Sequence, residues 1–495
     1  MTDIIIGGLD VGTTGCKIAL FDGEARLITT YYSEYDAKHF GGTHEIDFND
    51  VKAGVLSLLK CAAAEYKIDA LGVTSFGETF AMLDGDDNIL APSMLYTDPR
   101  GKGECDYITA AIGEEKLTIL TGVKPHTMYS ISKIAWWKNN APEIYSKCRR
   151  VLLGEDFIVY TLSGVAQIDY SLAARTAAFD IEKKEWISEV FLAAGVDSSL
   201  MSTPVPVGTI AGKLRPELKA TLGIDYDITI VNGAHDQVAA MIGAGVFSRD
   251  QAMDGTGTVE CIPVILEKKP LDLDFYGGGY SVVPYLDGKF AVYALSFTGG
   301  ATLKWFRDNF AELEKAECEK NSKNIYAELD SRVRKGPSRI LVLPHFAGAA
   351  TPYMDNDSKA AFIGVTLESD KIDLYKALME GTSYEMLLNF NTMKEFTGEI
   401  SEIRATGGGA SSDVWLQIKA DILGTAITAL SGKEIGAAGT AALVGVAIGA
   451  YDNLADAVAV SGAVRKVFTP NEENKTAYAK LYKKYANLYK AIKSL

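Results

Sequence analysis

Short runs of apolar residues alternate with amphipathic stretches along the whole chain. The apolar runs have the length of buried strands, and the amphipathic stretches repeat their apolar side chains with the 3.6-residue period of a helix. Strands are predicted at residues 4–8, 17–21, 70–74 and 228–231, and helices at residues 51–66 and 133–139. This alternation of strands and helices is typical of an α/β fold.

Two further segments are predicted as helices. Residues 436–450 are rich in Gly and Ala and are shorter than a membrane span, so they predict a buried helix. Near the C-terminus, tyrosines and leucines recur at helical spacing from Tyr478 to Tyr489. This spacing predicts one closing amphipathic helix with a basic, solvated face.

A strand–turn–strand pattern occurs twice. Residues 10–15, "DVGTTG", and residues 254–258, "DGTGT", each place an Asp and a Gly–Thr turn between two strand-like runs. The repetition predicts two related domains that face one ligand. We expect their boundary near Phe247, which gives an N-terminal domain of residues 1–247 and a C-terminal domain of residues 248–495.

Composition and charge limit the classes of partner that we expect for this chain. Of the 495 residues, 47% are apolar and 23% charged, as in an ordinary globular protein, and the net charge is −15. Such an acidic chain argues against nucleic-acid and membrane partners. The six cysteines are scattered without metal-ligand spacing, and the first residues do not resemble a secretion signal. We therefore expect reduced thiols and a cytoplasmic location.

The two Gly–Thr turns are candidates for phosphate binding. Backbone N–H groups of such a turn converge on phosphate oxygens, and threonine hydroxyls add donors. A plain hairpin turn explains either loop alone about as well, but two loops with an Asp at the mouth of one favour a nucleotide. The candidate residues are Gly12, Thr13, Thr14 and Lys17 in the first hairpin, and Gly255, Thr256, Gly257 and Thr258 in the second.

Two more glycine-rich segments extend the nucleotide hypothesis. One lies at a predicted helix start, and the other lies between a short strand and a helix. Glycines there let a flat adenine approach the backbone closely, although a tight turn explains either segment by itself. The candidates are Gly299 and Gly300 in the first segment, and Gly408, Gly409, Ala410 and Asp413 in the second.

Asp236 lies in "VNGAHDQVAA", between a strand-like run and a small-residue helix start. A rigid strand aims a side chain at its end, so this is a common place for chemistry. Locally, a helix N-cap explains Asp236 better than a catalytic base does. His235, beside it, is better explained as a packed or capping residue.

Seven segments resemble one known family, in the family's order and nearly end to end. In chain order they are "GLDVGTTGCKIALFD", "MYSISKIAWWKNNAPEIY", "VLLGEDFIVYTLSG", "DYSLAARTAAFDIEKKEWISEV", "NGAHDQVAAMIGAGV", "LPHFAGAATPYMDNDSKAAFIGVT" and "GGGASSDVWLQIKADILGT". Together they resemble the FGGY family of carbohydrate kinases, which includes xylulokinases and glycerol kinases.

This resemblance implies a fold and a reaction. The fold would be α/β, with two actin-like (ribonuclease-H-like) domains and the active site in the cleft between them. ATP would donate its γ-phosphoryl group to a hydroxyl of a small sugar or polyol, with Mg²⁺ as cofactor. Asp236 would be the general base, and Asp10 would face the metal and the γ-phosphate. An alcohol needs such a base because its proton must leave as the bond to phosphorus forms.

The resemblance places the acceptor contacts, beside Asp236, at five residues: Gly77, Glu78, Tyr96, Asp98 and Arg100. Glycerol kinases have Arg-Glu at the first pair and xylulokinases Met-His, so Gly77-Glu78 matches half of one relative. Tyr96 replaces a Trp, and Asp98 matches an Asp of the xylulokinases. Acidic side chains accept from sugar hydroxyls and an aromatic ring covers a sugar's apolar face, although solvated loop acids are the ordinary explanation.

We predict a ketose such as xylulose as the acceptor, with glycerol or another polyol as the alternative. An actin- or chaperone-like ATPase shares the phosphate loops and is the main rival class. A sugar-responsive regulator without catalysis ranks last, because Asp10 and Asp236 are both present. A homodimer is compatible with the sequence.

Overall fold

The computed structural model describes residues 4–493, apart from the side chains of residues 39 and 40, and divides the chain into two compact units. Unit 1 comprises the chain up to Gly245 together with Val282–Ala291 and Gly432–Ala463. Unit 2 comprises Val246–Ser281, Val292–Ser431 and the chain from Val464 onward. The division after Gly245 lies next to the boundary proposed after Phe247. Two segments nevertheless return to unit 1, and such long-range packing leaves no local signal in the sequence.

The first half of the chain contributes strands and helices to unit 1. Its strands are β1 (Ile6–Val11), β2 (Gly15–Phe21), β3 (Leu27–Glu34), β4 (Lys38–Phe40), β5 (Thr43–Ile46), β6 (Ala70–Ser75), β7 (Phe80–Leu83), β8 (Ser93–Met94), β9 (Arg150–Leu153), β10 (Gln167–Asp169), β11 (Phe179–Asp180), β12 (Glu185–Trp186), β13 (Thr203–Val205), β14 (Ile210–Lys213) and β15 (Thr229–His235). Its helices are α1 (Phe48–Glu65), α2 (Lys102–Ile112), α3 (Glu114–Thr121), α4 (Ser130–Asn140), α5 (Pro142–Tyr145), α6 (Gly154–Ser163), α7 (Tyr170–Ala173), α8 (Ser188–Ala194), α9 (Pro216–Leu222) and α10 (Asp236–Gly243).

The second half continues the alternation. Its strands are β16 (Gln251–Thr256), β17 (Glu260–Leu266), β18 (Ser281–Pro284), β19 (Phe290–Ser296), β20 (Leu341–Leu343), β21 (Ala361–Ile363), β22 (Glu402–Thr406), β23 (Ala426–Leu430) and β24 (Val464–Phe468). Its helices are α11 (Leu273–Gly277), α12 (Gly300–Phe310), α13 (Glu312–Lys320), α14 (Ile325–Ser331), α15 (Lys371–Thr397), α16 (Asp413–Leu423), α17 (Ile435–Ala447), α18 (Leu454–Ala457), α19 (Glu472–Tyr485) and α20 (Leu488–Ile492).

The two main sheets repeat one pattern. In the six-stranded sheet the order is β14-β15-β6-β1-β2-β3, and in the seven-stranded sheet it is β18-β19-β17-β16-β22-β23-β24. Strands β15, β6 and β1 are parallel, as are β23, β22 and β16. An antiparallel hairpin follows on one side, β1–β2 or β16–β17, and an antiparallel edge strand, β14 or β24, flanks the other. The repeat explains the doubled sequence pattern and confirms two related α/β domains.

Helix α17 is the buried Gly–Ala helix predicted from the sequence, and it packs within unit 1. A Cβ added to Gly8 of β1 would lie 2.1 Å from the carbonyl oxygen of Ala437 on this helix. A Cβ added to Gly439 would lie 1.9 Å from the carbonyl oxygen of Ala239 on α10. A backbone approaches a neighbouring carbonyl group this closely only where the approaching residue has no Cβ. The small residues of α17 therefore set the positions of β1 and α10.

The C-terminal helix differs from the prediction. It is interrupted, with α19 ending at Tyr485 and α20 beginning at Leu488. Both parts contribute to the apolar core of unit 2, where the buried tyrosines Tyr478, Tyr485 and Tyr489 pack. Within residues 4–493, no helix is long and apolar enough to cross a membrane. All six cysteines are free thiols.

Candidate active site

The first Gly–Thr turn connects β1 to β2 in unit 1. Asp10, near the end of β1, lies opposite Lys17 on β2 and beside Thr74 on β6. The amide of Gly12 donates to the carbonyl oxygen of Gly15 at 2.9 Å and closes the turn. Asp10 therefore lies at the mouth of the turn, as the sequence predicts.

The tip of this turn is accessible. Gly12 and Thr13 are partly exposed, and Thr14 is exposed. Tyr35 supports the turn from within unit 1, since its hydroxyl donates to the carbonyl oxygen of Gly12 at 2.6 Å and its amide donates to that of Thr14 at 3.2 Å. A supported, accessible turn of this kind is suited to contact a ligand through its backbone and hydroxyl groups.

Asp236 is the first residue of α10, and His235 occupies the N-cap position. The simple N-cap explanation of Asp236 is therefore wrong. The amide of His235 donates to the hydroxyl oxygen of Ser171 at 3.0 Å, and the hydroxyl of Thr74 donates to the carbonyl oxygen of Ala234 at 2.5 Å. These bonds fix the strand–helix junction, and the Asp236 side chain retains 37% exposure.

Asp10 and Asp236 share one electrostatic environment. Loss of hydration, the Asp236 carboxylate and, to a lesser extent, Glu434 raise the pKa of Asp10 to about 7, and Lys17 opposes the shift. Loss of hydration raises the pKa of Asp236 to about 6, against hydrogen bonds from Gln237 and the charge of Arg175. The structure thus brings together two carboxylates that lie 226 positions apart in the sequence.

Glu434 is a neighbour of Asp10 that sequence reasoning missed. Its carboxylate accepts from the ammonium group of Lys17 at 2.7 Å. Glu434 has φ of 57°, in the left-handed region, immediately before α17. A Cβ on Gly436, the second residue of α17, would lie 3.7 Å from Oδ2 of Asp10. The only sequence signal was an acid directly before a Gly–Ala helix.

Glu78 and Arg175 form a buried ion pair in unit 1. Nε of Arg175 donates to Oε1 of Glu78 at 2.6 Å, and the guanidinium lies 5.2 Å from the ring centroid of Tyr129. Glu78 has φ of 65°, and its carbonyl oxygen accepts from the hydroxyl of Ser130 at 2.6 Å. Backbone strain of this kind is retained where the surroundings enforce it and concentrates at functional sites. Arg175 is a second residue that sequence reasoning missed.

The absence of a side chain at Gly77 has a steric reason that the sequence did not reveal. A Cβ there would lie 3.0 Å from Cγ of Arg175 and 3.2 Å from Nε2 of His235. Burial, with a further contribution from Arg175, lowers the pKa of His235 to about 3. The imidazole next to Gly77 is therefore neutral.

Tyr96 lies near the carboxylates of Glu78 and Asp236. Its pKa is raised first by loss of hydration and then by the carboxylates of Glu78 and Asp236. Tyr96 is 42% exposed. The structure therefore places Tyr96 near Glu78 and Asp236, with part of its side chain accessible.

Asp98 and Arg100 are engaged with each other. Nε and Nη2 of Arg100 both donate to the Asp98 carboxylate at 2.8 Å, and the amides of His44 and Arg100 donate to it at 2.8 and 3.0 Å. Lys133 donates to the Asp98 carbonyl oxygen at 2.6 Å, and Arg100 also donates to Glu45 at 2.5 Å. With four donors, the Asp98 carboxylate is better explained as the internal support of its loop than as a sugar contact.

In unit 2, the second Gly–Thr turn and the start of α12 form one structure. The amide of Gly300 donates to the carbonyl oxygen of Gly257 at 2.8 Å, and the amides of Gly299 and Ala301 donate to that of Thr258 at 2.9 and 3.1 Å. A Cβ on Gly300 would lie 2.7 Å from the carbonyl oxygen of Gly257. These glycines are thus required by packing of the helix start against the turn.

The glycine-rich loop Gly407–Ala410 contacts the second Gly–Thr turn at Thr256. A Cβ on Gly407 would lie 2.6 Å from the carbonyl oxygen of Thr256, and one on Gly409 would lie 2.6 Å from its Cγ2. Among the described residues, no atom lies within 4 Å of a Cβ built on Gly408, which therefore faces open space. The other two predicted nucleotide segments of unit 2 therefore adjoin Gly255–Thr258.

The end of this loop is tied to strand β24. Arg465 donates to the carbonyl oxygen of Ala410 at 3.0 Å and to the carboxylate of Asp413 at 2.9 Å. Lys466 donates to the same carboxylate at 2.7 Å. Asp413 is therefore paired with two cations at the start of α16, which explains its position without a ligand.

Two family models match the chain in succession. The model for the FGGY family of carbohydrate kinases, N-terminal domain, matches residues 5–243, and the model for the C-terminal domain of the same family matches residues 255–448. Together they include the segments around Asp10, Asp236, Thr256 and Gly409.

Similar proteins align over nearly their full length. A xylulose kinase from Staphylococcus epidermidis is 26% identical over 515 residues, covering 100% of this chain and 98% of that protein. A gluconokinase from Bacillus subtilis is 27% identical over 503 residues, covering 100% and 97%. The structure of ligand-bound xylulose kinase from Lactobacillus acidophilus matches with a TM-score of 0.89 at 22% identity, covering 99% of this chain and 98% of that one. The structural match confirms the predicted two-domain actin-like fold.

Proposed function

We propose that this chain, which belongs to the FGGY family of carbohydrate kinases, transfers the γ-phosphoryl group of ATP to a hydroxyl of a neutral ketose, with xylulose as the leading candidate. The family assignment makes the chain a carbohydrate kinase that uses ATP. The sugar and the roles of individual residues are our proposals. The observation that carries them is that the Asp236 carboxylate acts on Asp10 and, together with Glu78, on Tyr96 in unit 1.

Asp236 is the proposed general base. It stands at the rigid end of β15, partly exposed, with a pKa near 6. At neutral pH it is therefore mostly ionised, and yet basic enough to accept a proton from an acceptor hydroxyl. The neutral His235 imidazole beside it has a pKa too low for it to compete as the base.

The three glycine-rich segments of unit 2 are the proposed nucleotide site. Backbone amides and hydroxyls of Gly255–Thr258 would bind the phosphates, and the open face at Gly408 would allow a flat base to lie against the backbone. We assign Gly299 and Gly300 an indirect role, because their contacts support the turn. Asp413 is likewise not proposed to contact the nucleotide, because it is paired with Arg465 and Lys466.

The residues around Asp10 fit a magnesium ion that accompanies ATP. The carboxylates of Asp236 and Glu434 both act on Asp10, and the ammonium group of Lys17 opposes them. Among the residues that the structure describes, no group of three or more potential ligands is close enough to hold a metal unaided. Magnesium commonly takes one or two protein carboxylates and completes its shell with phosphates and water. Asp10 is the proposed protein ligand, and the bound ion would neutralise phosphate charge.

The charge of the proposed sugar site favours a neutral acceptor. Glu78 and Asp236 both lie near Tyr96, and the Arg175 guanidinium is paired with Glu78. Because Arg175 balances the charge of Glu78, the carboxylate of Asp236 is what opposes a sugar acid such as gluconate, whereas both carboxylates can accept hydrogen bonds from a ketose's hydroxyls. The exposed Tyr96 ring would cover the sugar's apolar face. We assign Asp98 and Arg100 to the support of their own loop and not to sugar binding.

An acceptor screen with the purified full chain tests the proposal. ADP release would be measured with ATP and Mg²⁺ against xylulose, ribulose, glycerol and gluconate, with Asp236→Asn as the matched inactive variant. We expect kcat/KM to be highest for a ketose. A preference for gluconate would contradict the charge argument, and glycerol would support the polyol alternative. ADP release that no acceptor stimulates would contradict the proposed acceptor chemistry.

A cytoplasmic location and a homodimer stay predictions. Fractionation of the native host would test the first. Sedimentation of the purified chain would test the second.

A further inference from the structure

A lysine is buried directly under the second Gly–Thr turn. Lys419 lies on α16, and its side chain is 1% exposed. Its ammonium group donates to Oδ2 of Asp254 at 2.5 Å, to Oε1 of Glu260 at 2.6 Å and to the hydroxyl oxygen of Thr256 at 2.7 Å. All three donors of the ammonium group therefore have partners on the turn's own hairpin.

These partners lie at the base of the turn. Asp254 and Thr256 are on β16, and Glu260 is on β17, where it pairs with Thr256 across the hairpin. The Thr256 hydroxyl also lies 2.7 Å from Oδ1 of Asp254 and 3.2 Å from Oε1 of Glu260. One side chain from α16 thus connects both strands that carry the proposed phosphate turn.

Helix α16, which carries Lys419, directly follows the glycine-rich loop Gly407–Ala410. Residues Gly407 and Gly409 press against Thr256 with no room for a Cβ. A shift of Thr256 would therefore displace both the phosphate turn and the adenine loop. Lys419, which bonds the hydroxyl of the same Thr256 side chain, is placed to prevent that shift.

The charges of this cluster fit a positional role better than a stabilising one. Although burial lowers it, the carboxylates of Asp254 and Glu260 raise the pKa of Lys419 overall, so its amine stays protonated. Burial raises the pKa of Glu260 to about 7 against the opposing charge of Lys419. Buried ion clusters add little stability over well-packed apolar side chains, because desolvation offsets the attraction. What this cluster does provide is a fixed geometry at three atoms of the hairpin.

We propose that Lys419 is a positioning residue for ATP: by holding Asp254, Thr256 and Glu260, it sets the geometry of the phosphate turn and of the adjoining Gly407–Ala410 loop. The proposal rests on the proposed function, since it requires unit 2 to bind the nucleotide. It predicts a defect confined to the nucleotide side of the reaction.

The test is Lys419→Met, measured by equilibrium binding of ADP in the absence of sugar and by steady-state kinetics. We expect the Kd for ADP and the KM for ATP to rise about tenfold or more, because small displacements of binding groups are costly. The KM for the sugar should stay unchanged. A variant that is folded and binds ADP as the wild type does would overturn the proposal.

Lys376→Met is the matched control. Lys376 is also buried, in α15 of the same unit, where it donates to the carbonyl oxygen of Arg334 at 2.8 Å and lies 3.6 Å from Glu380. It lies away from the glycine-rich loops in sequence and contacts. We expect a similar loss of thermal stability with unchanged ADP affinity. An equal loss of ADP affinity in both variants would reduce Lys419 to a general stabilising role.

A neutral triple variant covers the case in which Lys419→Met fails to fold. Combining it with Asp254→Asn and Glu260→Gln removes the two carboxylates that would be left buried without a cation. We expect this variant to fold and still to bind ADP weakly, because the three-point contact is absent. Wild-type ADP affinity in the triple variant would overturn the proposal. Failure of the wild-type chain itself to bind ADP would instead contradict the proposed function.

Discussion

Nε of Arg175 donates to Oε1 of Glu78 at 2.6 Å, although 97 positions separate the two residues in the chain. The arginine reaches the carboxylate past Gly77, where a Cβ would meet its Cγ at 3.0 Å. The pair is buried, and Glu78 lies with Asp236 near the exposed ring of Tyr96. The direction of one carboxylate at the proposed sugar site is therefore set by a distant segment.

Replacing Arg175 with Met should impair sugar binding. The Glu78 carboxylate would lose its charge partner in a buried position, which either displaces or protonates it. We expect the KM for the sugar to rise roughly tenfold to hundredfold, an amount typical of losing a charged hydrogen bond, with the KM for ATP unchanged. Steady-state kinetics with each substrate varied in turn measures both values.

Arg150→Met is the control for this change. Arg150 also lies over a tyrosine ring, 4.9 Å from the centroid of Tyr160, but is 37% exposed and 3.6 Å from Asp87. We expect it to retain the wild-type KM for the sugar. If Arg175→Met and Arg150→Met behave alike, the ion pair with Glu78 has no special role in binding.

Asp236→Asn should nearly abolish turnover. Loss of a general base typically costs about 10² to 10⁴ in rate, and the amide keeps the shape of the side chain. ADP binding should be unaffected, since the proposed nucleotide site lies in unit 2. Single-turnover kinetics and ADP titration measure the two effects, and near-normal turnover would remove Asp236 from the base role.

Thermal stability separates lost chemistry from lost structure in this variant. The pKa of Asp236 is higher in the folded protein than its ordinary value, so the ionised carboxylate is disfavoured by folding. Asp236→Asn should therefore keep or raise the Tm at pH 8, and any gain should shrink as the pH falls below about 6. Asp227→Asn is the control. Lys213 and Lys219 lower the pKa of Asp227 to about 2, which is the opposite shift. Asp227 lies outside the proposed site, so turnover should persist.

The rate should also depend on pH through Asp236. The base acts in its ionised form, and its pKa is about 6. kcat should be flat above neutral pH and should fall as the pH drops through 6, approaching a tenfold loss per unit in more acidic solution. A profile measured with saturating substrates checks this, with the Tm recorded at each pH. An acid limb centred near the ordinary value of an exposed aspartate would contradict the assignment.

The sequence was sufficient to predict elements whose causes are local. The β1–β2 and β16–β17 hairpins, a helix directly after β15 and the buried helix α17 follow from turn chemistry and apolar spacing. The repeated hairpins also predicted two related domains. In each case the deciding residues are close together in the chain.

Long-range contacts were not predictable in this way. Arg175 meets Glu78, and Glu434 meets Lys17 across 417 positions. The sequence also did not show that the Asp98 carboxylate accepts from the amide of His44, 54 positions away, in addition to its bonds from Arg100. A side chain's acceptor capacity can be counted only once its distant partners are known.

Gly408 and Gly409 are adjacent, yet alanine should affect them differently. At Gly409 a Cβ would lie 2.6 Å from Cγ2 of Thr256, so the loop or the threonine must move. We expect Gly409→Ala to lower both the Tm and the affinity for ADP. At Gly408 the Cβ meets no described atom within 4 Å, so Gly408→Ala should leave the Tm unchanged or slightly higher.

The effect of Gly408→Ala on ADP binding then tests where the nucleotide lies. If the base of ADP rests against this backbone, a methyl group in the open space weakens binding without any cost to the free protein. We expect ADP affinity to fall while the Tm of the ligand-free protein holds, measured by calorimetric titration and thermal unfolding of the same samples. Unchanged affinity for ADP would mean that the nucleotide does not approach Gly408, and the adenine site would have to lie elsewhere in unit 2.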